Sequence, residues 1–250
     1  MGIYLNSDNV GFKRVLAEEI YVDKTMLINE LNKLIDTNSH YVCVSRPRRF
    51  GKTFATKMMC AYYSKGCDSR EMFKNLKISK ADSYEKYLNK LNFISIDVAS
   101  EYQNAPVKKD MLVDLYSRIR SEFQEQFPML QFRDNETLAN CILTVYAKTK
   151  ETFVIILDEY DSLVRNQFGT DLFAEYLEFL NGLFKSDTLS NAISLAYITG
   201  ILPVVRDRVQ SKLNNFDEYT MLDALQLAEY VGFTEEEVKP LCEKYGMDFI

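Results

Sequence analysis

The chain has 250 residues, of which 47% are hydrophobic and 26% are charged, and this length fits one sizeable α/β domain with a small appendage. Its 9 glycines and 5 prolines are too few for a collagen-like or disordered chain. The formal charge of -6 and the pI of about 5.1 argue against a general attraction of the whole surface to nucleic acid or anionic membranes.

Few residues are of the types that hold metals or form catalytic triads. The 5 cysteines contain no C-x-x-C pair and are interpreted as reduced, buried thiols of a cytoplasmic protein. The single histidine, His40, precedes an apolar run and is interpreted as a structural residue at a strand entrance.

The chain begins without a basic segment followed by an apolar one, so no signal peptide is predicted. Apolar residues between Thr25 and Asp36 fall on one face of an amphipathic helix. A strand follows at 41–45, and then a helix at about 52–64, with Gly66 as its expected C-terminal stop. Further short apolar runs predict strands at 93–97, 153–157 and 193–199, and helical patterns lie between them.

Strands that alternate with helices predict an α/β fold with a mainly parallel sheet covered on both faces. Ligands of such sheets bind beyond the carboxyl ends of the strands, here directly after Ser45, Asp97, Leu157 and Thr199. The uncharged stretch from 188 to 205 contains too many polar residues for a membrane span and is interpreted as a buried strand with polar flanks.

The end of the chain has a different composition. Thr234 and Glu237 form a capping-box pattern that predicts a helix start, and Pro240 is expected to end or kink that helix, or to begin a second one before Gly246. We therefore expect a core domain at 1–216 and the beginning of a helical lid or appendage at 217–250.

A basic loop connects the first strand to the following helix. A phosphate-binding loop needs a close-approaching glycine, a lysine for the β and γ phosphates and a hydroxyl for Mg²⁺, which Gly51, Lys52 and Thr53 supply. The sequence departs from the pattern G-x-x-x-x-G-K-[ST] only at the first glycine, where Arg46 stands. The alternative to a phosphate-binding loop is a solvated basic turn. The predicted nucleotide-binding residues are Arg46, Pro47, Arg48, Arg49, Phe50, Gly51, Lys52, Thr53 and Phe54.

The strand at 153–157 runs directly into Asp158 and Glu159. Acidic residues at such a strand end are typical of a site where the first carboxylate holds Mg²⁺ and the second activates a water molecule. We therefore predict Asp158 and Thr53 as metal-binding residues and Glu159 and Lys52 as catalytic residues. A solvated acidic turn is the alternative.

Other polar residues near the predicted strand ends have open roles. Thr199 is predicted to be catalytic, through the γ-phosphate or the attacking water, although a β-forming role is equally compatible with its position. Asp97 and Asp161 either join the site or only end their elements. Arg206 and Arg208 are candidates to neutralise phosphoryl charge, with ordinary surface arginines as the alternative.

Several motifs together resemble the bacterial AAA-ATPase-like family over nearly the whole chain. They are Tyr21-Val22-Asp23-Lys24-Thr25, residues 45–53, Leu157-Asp158-Glu159-Tyr160-Asp161, Thr199-Gly200-Ile201, Leu213-Asn214-Asn215 and residues 232–238. The resemblance implies a three-layer P-loop ATPase with sheet order 5-1-4-3-2 and Glu159 as catalytic base. It also implies that the missing first glycine is a family habit. One departure is Pro203, where a basic residue is expected. Relatives often continue into a PD-(D/E)xK nuclease-like domain, and no nuclease activity is expected without one.

The sequence thus predicts an Mg-dependent ATPase module that is slow on its own and switches contacts through its ATP state. ATP, ADP and Mg²⁺ are the expected ligands, and another protein or a second copy of the chain is a candidate partner. Two other functions stay open. One is a nucleotide-binding scaffold without turnover, and the other is a nucleic-acid-associated protein that uses the basic loop. Nuclease metal ligation by Asp97, Asp158 and Glu159 lacks a supporting Glu-x-Lys strand.

Overall fold

In the computed structural model, five parallel strands form one sheet with the order β2-β3-β4-β1-β5. The structure describes residues 1–203, 213–221, 223 and 227–249. This order, taken from the opposite edge, is the predicted order 5-1-4-3-2, so the predicted α/β fold is confirmed. The strands are β1 (Tyr41–Ser45), β2 (Asn92–Asp97), β3 (Phe153–Asp158), β4 (Ile193–Gly200) and β5 (Asp217–Tyr219).

Helices connect the strands and cover the sheet. They are α1 (Val10–Leu16), α2 (Met26–Asn32), α3 (Lys52–Tyr63), α4 (Arg70–Phe73), α5 (Tyr84–Tyr87), α6 (Val98–Asn104), α7 (Met111–Gln126), α8 (Leu138–Thr149), α9 (Ser162–Asn166), α10 (Asp171–Phe184), α11 (Asp187–Ser190) and α12 (Glu235–Tyr245). Short 3₁₀ helices lie at Lys77–Lys80 and Lys108–Asp110. In the described part of the chain, no helix is long and apolar enough to cross a membrane.

The sheet separates two hydrophobic cores because successive side chains of a strand point to opposite faces. In β1, Val42 and Val44 pack with helices α1 to α5, whereas Tyr41 and Cys43 pack with helices α6 to α11. Both faces are therefore covered, and the central strands are apolar along nearly their whole length. The free carboxyl ends of the strands form one edge, where β1 leads into the loop before α3.

The C-terminal part agrees only partly with the sequence expectations. Thr234 and Glu237 form the predicted capping box. Pro240 neither ends the helix nor begins a second one, because α12 continues through it to Tyr245, with Gly246 as a C-cap at a left-handed φ of 62°; a kink at Pro240 stays a prediction. The division at 216/217 stays a prediction; the edge strand β5 lies just after it and adds to the sheet.

Gly66 was expected to stop α3, but the helix ends at Tyr63 with Ser64 as its C-cap. A Cβ at Gly66 would lie 2.3 Å from the Asn6 carbonyl oxygen. This glycine therefore permits the N-terminal segment to approach closely rather than capping the helix.

Candidate functional site

The loop between β1 and α3 is shaped by two residues in the left-handed region. Arg49 has φ 70° and Gly51 has φ 78°. No atom lies within 4 Å of a Cβ built on Gly51, so its backbone angle, not crowding, is what favours glycine there. The loop delivers the chain into the N-terminus of α3, where backbone N–H groups and the helix dipole attract anions.

Lys52 is folded back into this loop. Its Nζ donates hydrogen bonds to the carbonyl oxygens of Arg46 and Pro47, both at 3.1 Å, and its side chain is only 5% exposed. The nearest carboxylate is that of Glu159, whose Oε1 lies 4.0 Å from Nζ. That separation is longer than a direct charged hydrogen bond, so no carboxylate of the described residues directly hydrogen-bonds the ammonium group.

Thr53 joins the loop to the acidic strand end. Its Oγ1 donates a hydrogen bond of 2.9 Å to Oδ2 of Asp158, across 105 positions of the chain. Hydroxyl and carboxylate oxygens are ligands that Mg²⁺ accepts alongside substrate phosphates. Within the described residues, no three His, Cys, Asp or Glu side chains cluster as a ready-made metal cage. The donor set therefore fits a Mg²⁺ ion that relies on nucleotide phosphates for its other ligands.

Burial raises the pKa of the Asp158 carboxyl to about 6, and the neighbouring carboxylates of Asp97 and Glu159 contribute to the rise. The hydrogen bond from Thr53 acts in the opposite direction. A buried carboxyl with this environment favours the arrival of a cation, because a positive charge stabilises its ionised form.

Glu159 follows Asp158 with an uncommon backbone. Its φ is 51°, a left-handed value that costs energy for a residue with a side chain. Its N–H donates to Oδ1 of Asp158 at 3.0 Å, and its carboxylate accepts from Arg165 NH2 at 2.7 Å. The side chain lines the cavity in front of the loop. Strain beside two carboxylates at a cavity wall is a common property of functional sites.

Two predicted site residues have other contacts. The Arg46 guanidinium is buried and donates to the carbonyl oxygens of Ser45 and Tyr219, and burial lowers its pKa. It thus fastens the loop to β5, and only its backbone faces Lys52. Thr199 is fully buried and its hydroxyl donates to the Val44 carbonyl at 3.0 Å. In this structure Thr199 therefore makes a structural contact between β4 and β1, and its catalytic role stays a prediction.

Several residues whose roles the sequence left open also make structural contacts. Asp97 caps α6 by accepting from the Ser100 N–H at 2.9 Å. Asp161 is 1% exposed and accepts from the backbone N–H groups of Ile201 and Leu202. Arg206 and Arg208 lie outside the described residues. His40 contacts Thr37 and Ser190 at the opposite end of β1, as expected for a structural residue.

Gly200 lies against this buried aspartate. A Cβ there would meet Oδ1 of Asp161 at 2.5 Å and Cε1 of Tyr160 at 2.9 Å. We expect Gly200→Ala to lower the free energy of unfolding by about 1–3 kcal/mol through overpacking. Urea unfolding measures this change. The control is Gly182→Ala inside α10, where nothing lies within 4 Å and a gain of about 0.5–1 kcal/mol is expected. An unchanged midpoint for Gly200→Ala would contradict the close packing.

A cavity of about 870 Å³ opens in front of the loop. Arg48, Arg49, Phe50, Gly51, Lys52, Thr53 and Phe54 contribute to its walls, as does Glu159. The other residues that line the cavity were not predicted from the spacing of the motifs. They are Phe12 and Val15 from α1, Ile20 to Val22 with Lys24, Ala99 and Gln103 from α6, Ser162, Arg165 and Asn166 from α9, and Tyr230, Gly232 and Phe233. The motifs at 21–25 and 232–238 were noted only as part of the family resemblance.

Contacts between these motifs close one side of the cavity. Lys24 Nζ binds the Glu237 carboxylate and the Glu229 carbonyl oxygen. Phe50 of the loop packs on Gly232, whose φ is 103° and whose Cβ would lie 2.9 Å from the ring. The N-terminal segment, the loop and the C-terminal segment thus meet around one space.

A parallel sheet of this order, a Gly-Lys-Thr loop at a helix N-terminus and an Asp-Glu pair at the end of β3, one strand removed from β1, define a P-loop nucleotide-binding α/β protein. A family model described as "Predicted AAA-ATPase" matches residues 11–210, and the chain belongs to this family. The family supports an ATPase-type nucleotide-binding module. No curated protein matches the chain.

Similar solved structures include three proteins that share 13–14% identity with the chain. PCH-2 of C. elegans matches 84% of this chain and 46% of its own, with a TM-score of 0.40. Cdc6p from Pyrobaculum aerophilum matches 96% and 53%, with a TM-score of 0.41. The Aeropyrum pernix ORC2 protein, described as ADPNP-ADP complexes, matches 92% and 54% with a TM-score of 0.39. The chain spans about half the length of these proteins, and likenesses at such TM-scores carry no functional argument.

Proposed function

We propose that the chain binds ATP with Mg²⁺ in the 870 Å³ cavity and hydrolyses it to ADP and phosphate. The observation that carries this proposal is the 2.9 Å hydrogen bond between Thr53 and Asp158. It joins the helix N-terminus and the acidic strand end into one pair of oxygen donors. Lys52 and Glu159 lie directly beside this pair, which gives the cavity wall a cation, a metal-binding pair and a base.

The phosphates would occupy the loop at the N-terminus of α3. Lys52 would exchange its hydrogen bonds to Arg46 and Pro47 for the β and γ phosphates, because charged oxygens are stronger acceptors than neutral carbonyls. Backbone N–H groups at the helix start supply further donors. Arg48 and Arg49 line the same cavity and add positive charge.

Thr53 and Asp158 would hold Mg²⁺, which would neutralise part of the phosphate charge. Glu159 would accept a proton from the attacking water through the carboxylate oxygen that does not contact Arg165. Its position on the cavity wall, with the side chain 26% exposed, leaves room for that water.

The purine base of the nucleotide would lie against aromatic and aliphatic walls of the cavity. Tyr21, Val22, Tyr230 and Phe233 contribute such walls, together with Phe54 of α3. Aromatic and aliphatic walls suit a flat heterocycle, which buries surface and stacks on rings. Titrations with ATP and GTP compare the two purines directly.

The contacts between the loop, the N-terminal segment and the C-terminal segment indicate how nucleotide binding could act as a switch. Gly232 packs on Phe50 of the phosphate loop, and Glu237 of α12 binds Lys24. We propose that a nucleotide that orders the loop also changes the position of the C-terminal segment, which then acts as the beginning of a lid. Limited proteolysis with and without ATP measures this effect, and identical cleavage patterns would contradict it.

Of the basic residues that suggested nucleic-acid binding, only some face solvent. Arg46 and Lys52 are buried, whereas Arg48 and Arg49 are exposed. Two exposed cations on a chain with a formal charge of -6 would bind the phosphate backbone of a nucleic acid only weakly and in a salt-sensitive way. Nucleotide binding is therefore the function that this loop favours. A scaffold without turnover would use the same cavity, and phosphate release separates it from an ATPase.

The proposal is tested by calorimetric titration of ATP with and without Mg²⁺. We expect Mg²⁺ to strengthen ATP binding to the wild type and to Thr53→Ser, which keeps the hydroxyl. In Thr53→Ala we expect the Mg²⁺-dependent gain to fall by about tenfold or more, because the metal loses one oxygen ligand. A wild-type protein that binds no ATP, or a Thr53→Ala variant with the full gain, would sink the assignment.

A further inference from the structure

Glu159 lies between two cations at unequal distances. Its Oε2 accepts from NH2 of Arg165 at 2.7 Å, whereas its Oε1 stays 4.0 Å from Nζ of Lys52. A direct ammonium-carboxylate contact would measure about 2.7–2.9 Å. The carboxylate is therefore held close to the arginine and apart from the lysine.

Arg165 is itself held in place. Its Nε donates to Oδ2 of Asp161 at 2.9 Å, and its NH2 also approaches Oδ1 at 3.4 Å. Asp161 is almost fully buried, and its Oδ2 accepts from the N–H groups of Ile201 and Leu202 at 3.2 and 2.9 Å. The guanidinium thus has an anchor built from the end of β4, and its planar shape lets it bind both carboxylates at once.

We infer that Arg165 is a positioning residue that keeps the Glu159 carboxylate away from Lys52. Without the guanidinium, Lys52 is the nearest cation to the half-buried carboxylate among the described residues, and the attraction closes the 4.0 Å gap. A carboxylate on the ammonium group competes with phosphate for the same charge. Arg165 therefore preserves both the phosphate-binding lysine and the free oxygen of the base.

This role predicts a specific coupling between three side chains. Arg165→Met is expected to weaken binding of a non-hydrolysable ATP analogue with Mg²⁺ by about tenfold, because Glu159 then occupies Lys52. Glu159→Gln removes the competing charge. The double variant Arg165→Met/Glu159→Gln is therefore expected to bind within about twofold of Glu159→Gln alone.

A purely structural role for Arg165 gives a different result, since the double variant would then stay as weak as Arg165→Met. Wild-type affinity in Arg165→Met would equally overturn the inference. Arg133→Met, an exposed arginine in the loop before α8, is the matched control and is expected to bind like the wild type. If Arg165→Met does not fold, Arg165→Lys enters the same cycle. Its single ammonium cannot bind both carboxylates, and we expect a loss of about threefold that Glu159→Gln again removes.

The affinity measurements rest on the proposed function, whereas a crystal structure of the nucleotide-free variant does not. In Arg165→Met, or in Arg165→Lys if only that variant folds, we expect the distance from Lys52 Nζ to Glu159 Oε1 to fall below about 3.2 Å. An unchanged separation near 4.0 Å overturns the inference even if the wild type binds no nucleotide. A shortened distance in a protein that binds no ATP supports the inference and refutes the proposed function.

Discussion

Lys52→Ala is expected to reduce ATP affinity by about a hundredfold or more, because truncating one partner of a buried charge pair costs several kcal/mol. Lys52 is the buried cation of this loop, and the carbonyl oxygens of Arg46 and Pro47 are the acceptors that its ammonium group has within the described residues. A bound phosphate would attract this ammonium group at little cost, because Lys52 would give up hydrogen bonds to neutral carbonyl oxygens. Without this lysine, the anion keeps the N–H groups at the start of α3 and the exposed Arg48 and Arg49, but loses the buried charge.

Isothermal titration of ATP with excess Mg²⁺ measures this loss, and thermal unfolding of the same samples checks that the variant is folded. Lys74→Ala is the control, since Lys74 is exposed and pairs only with Glu71 in the described part of the chain. We expect the control to bind like the wild type. Wild-type affinity in Lys52→Ala would show that residues 46–53 are not a phosphate-binding loop.

Much of the fold follows from local sequence. The apolar runs at 41–45 and 153–157 became β1 and β3 with boundaries moved by at most one residue, because buried central strands need continuous apolar side chains. The edge strand β5 was not located. Its residues Asp217, Glu218 and Tyr219 have no apolar run, and the strand exists because one side pairs with β1 and Arg46 binds its last carbonyl group.

The site was predictable where one motif carries the chemistry and its place follows from strand order. Lys52, Thr53, Asp158 and Glu159 come together because β1 and β3 both flank β4 and end at the same edge of the sheet. The side chains of Thr199 and Arg46 contact backbone carbonyl groups, an arrangement that spacing does not encode, and the roles predicted for these two residues stay predictions. Arg165 was not noticed, since its partners become apparent only when the turn after β3 brings Glu159 and Asp161 around it.

Pro240 illustrates a different limit. Proline usually ends a helix because it lacks an N–H group and clashes with the preceding turn. Here it lies in the sixth position of α12, and a complete capping box and a left-handed Gly246 define the two helix ends. Strong signals at both ends therefore outweigh one unfavourable interior residue.

Glu159→Gln is expected to bind ATP with Mg²⁺ as well as the wild type does and to release phosphate about 10²- to 10⁴-fold more slowly, the usual contribution of a general base. The amide has the shape of the carboxylate, and its oxygen can still accept from Arg165 NH2, which contacts Oε2 at 2.7 Å in the wild type. It cannot take a proton from water at neutral pH. The loss should therefore fall on turnover and leave binding intact.

Phosphate release under saturating ATP and Mg²⁺, measured beside the binding isotherm, separates these two effects. Glu125→Gln on α7 is the matched control, because this exposed glutamate lies outside the cavity walls and is expected to keep full turnover. If the wild type releases phosphate and Glu159→Gln releases it equally fast, the base is another residue. If the wild type binds ATP but no phosphate appears, the chain is a nucleotide-binding scaffold. Nucleotide binding without turnover would then be what changes the position of the C-terminal segment relative to the phosphate loop.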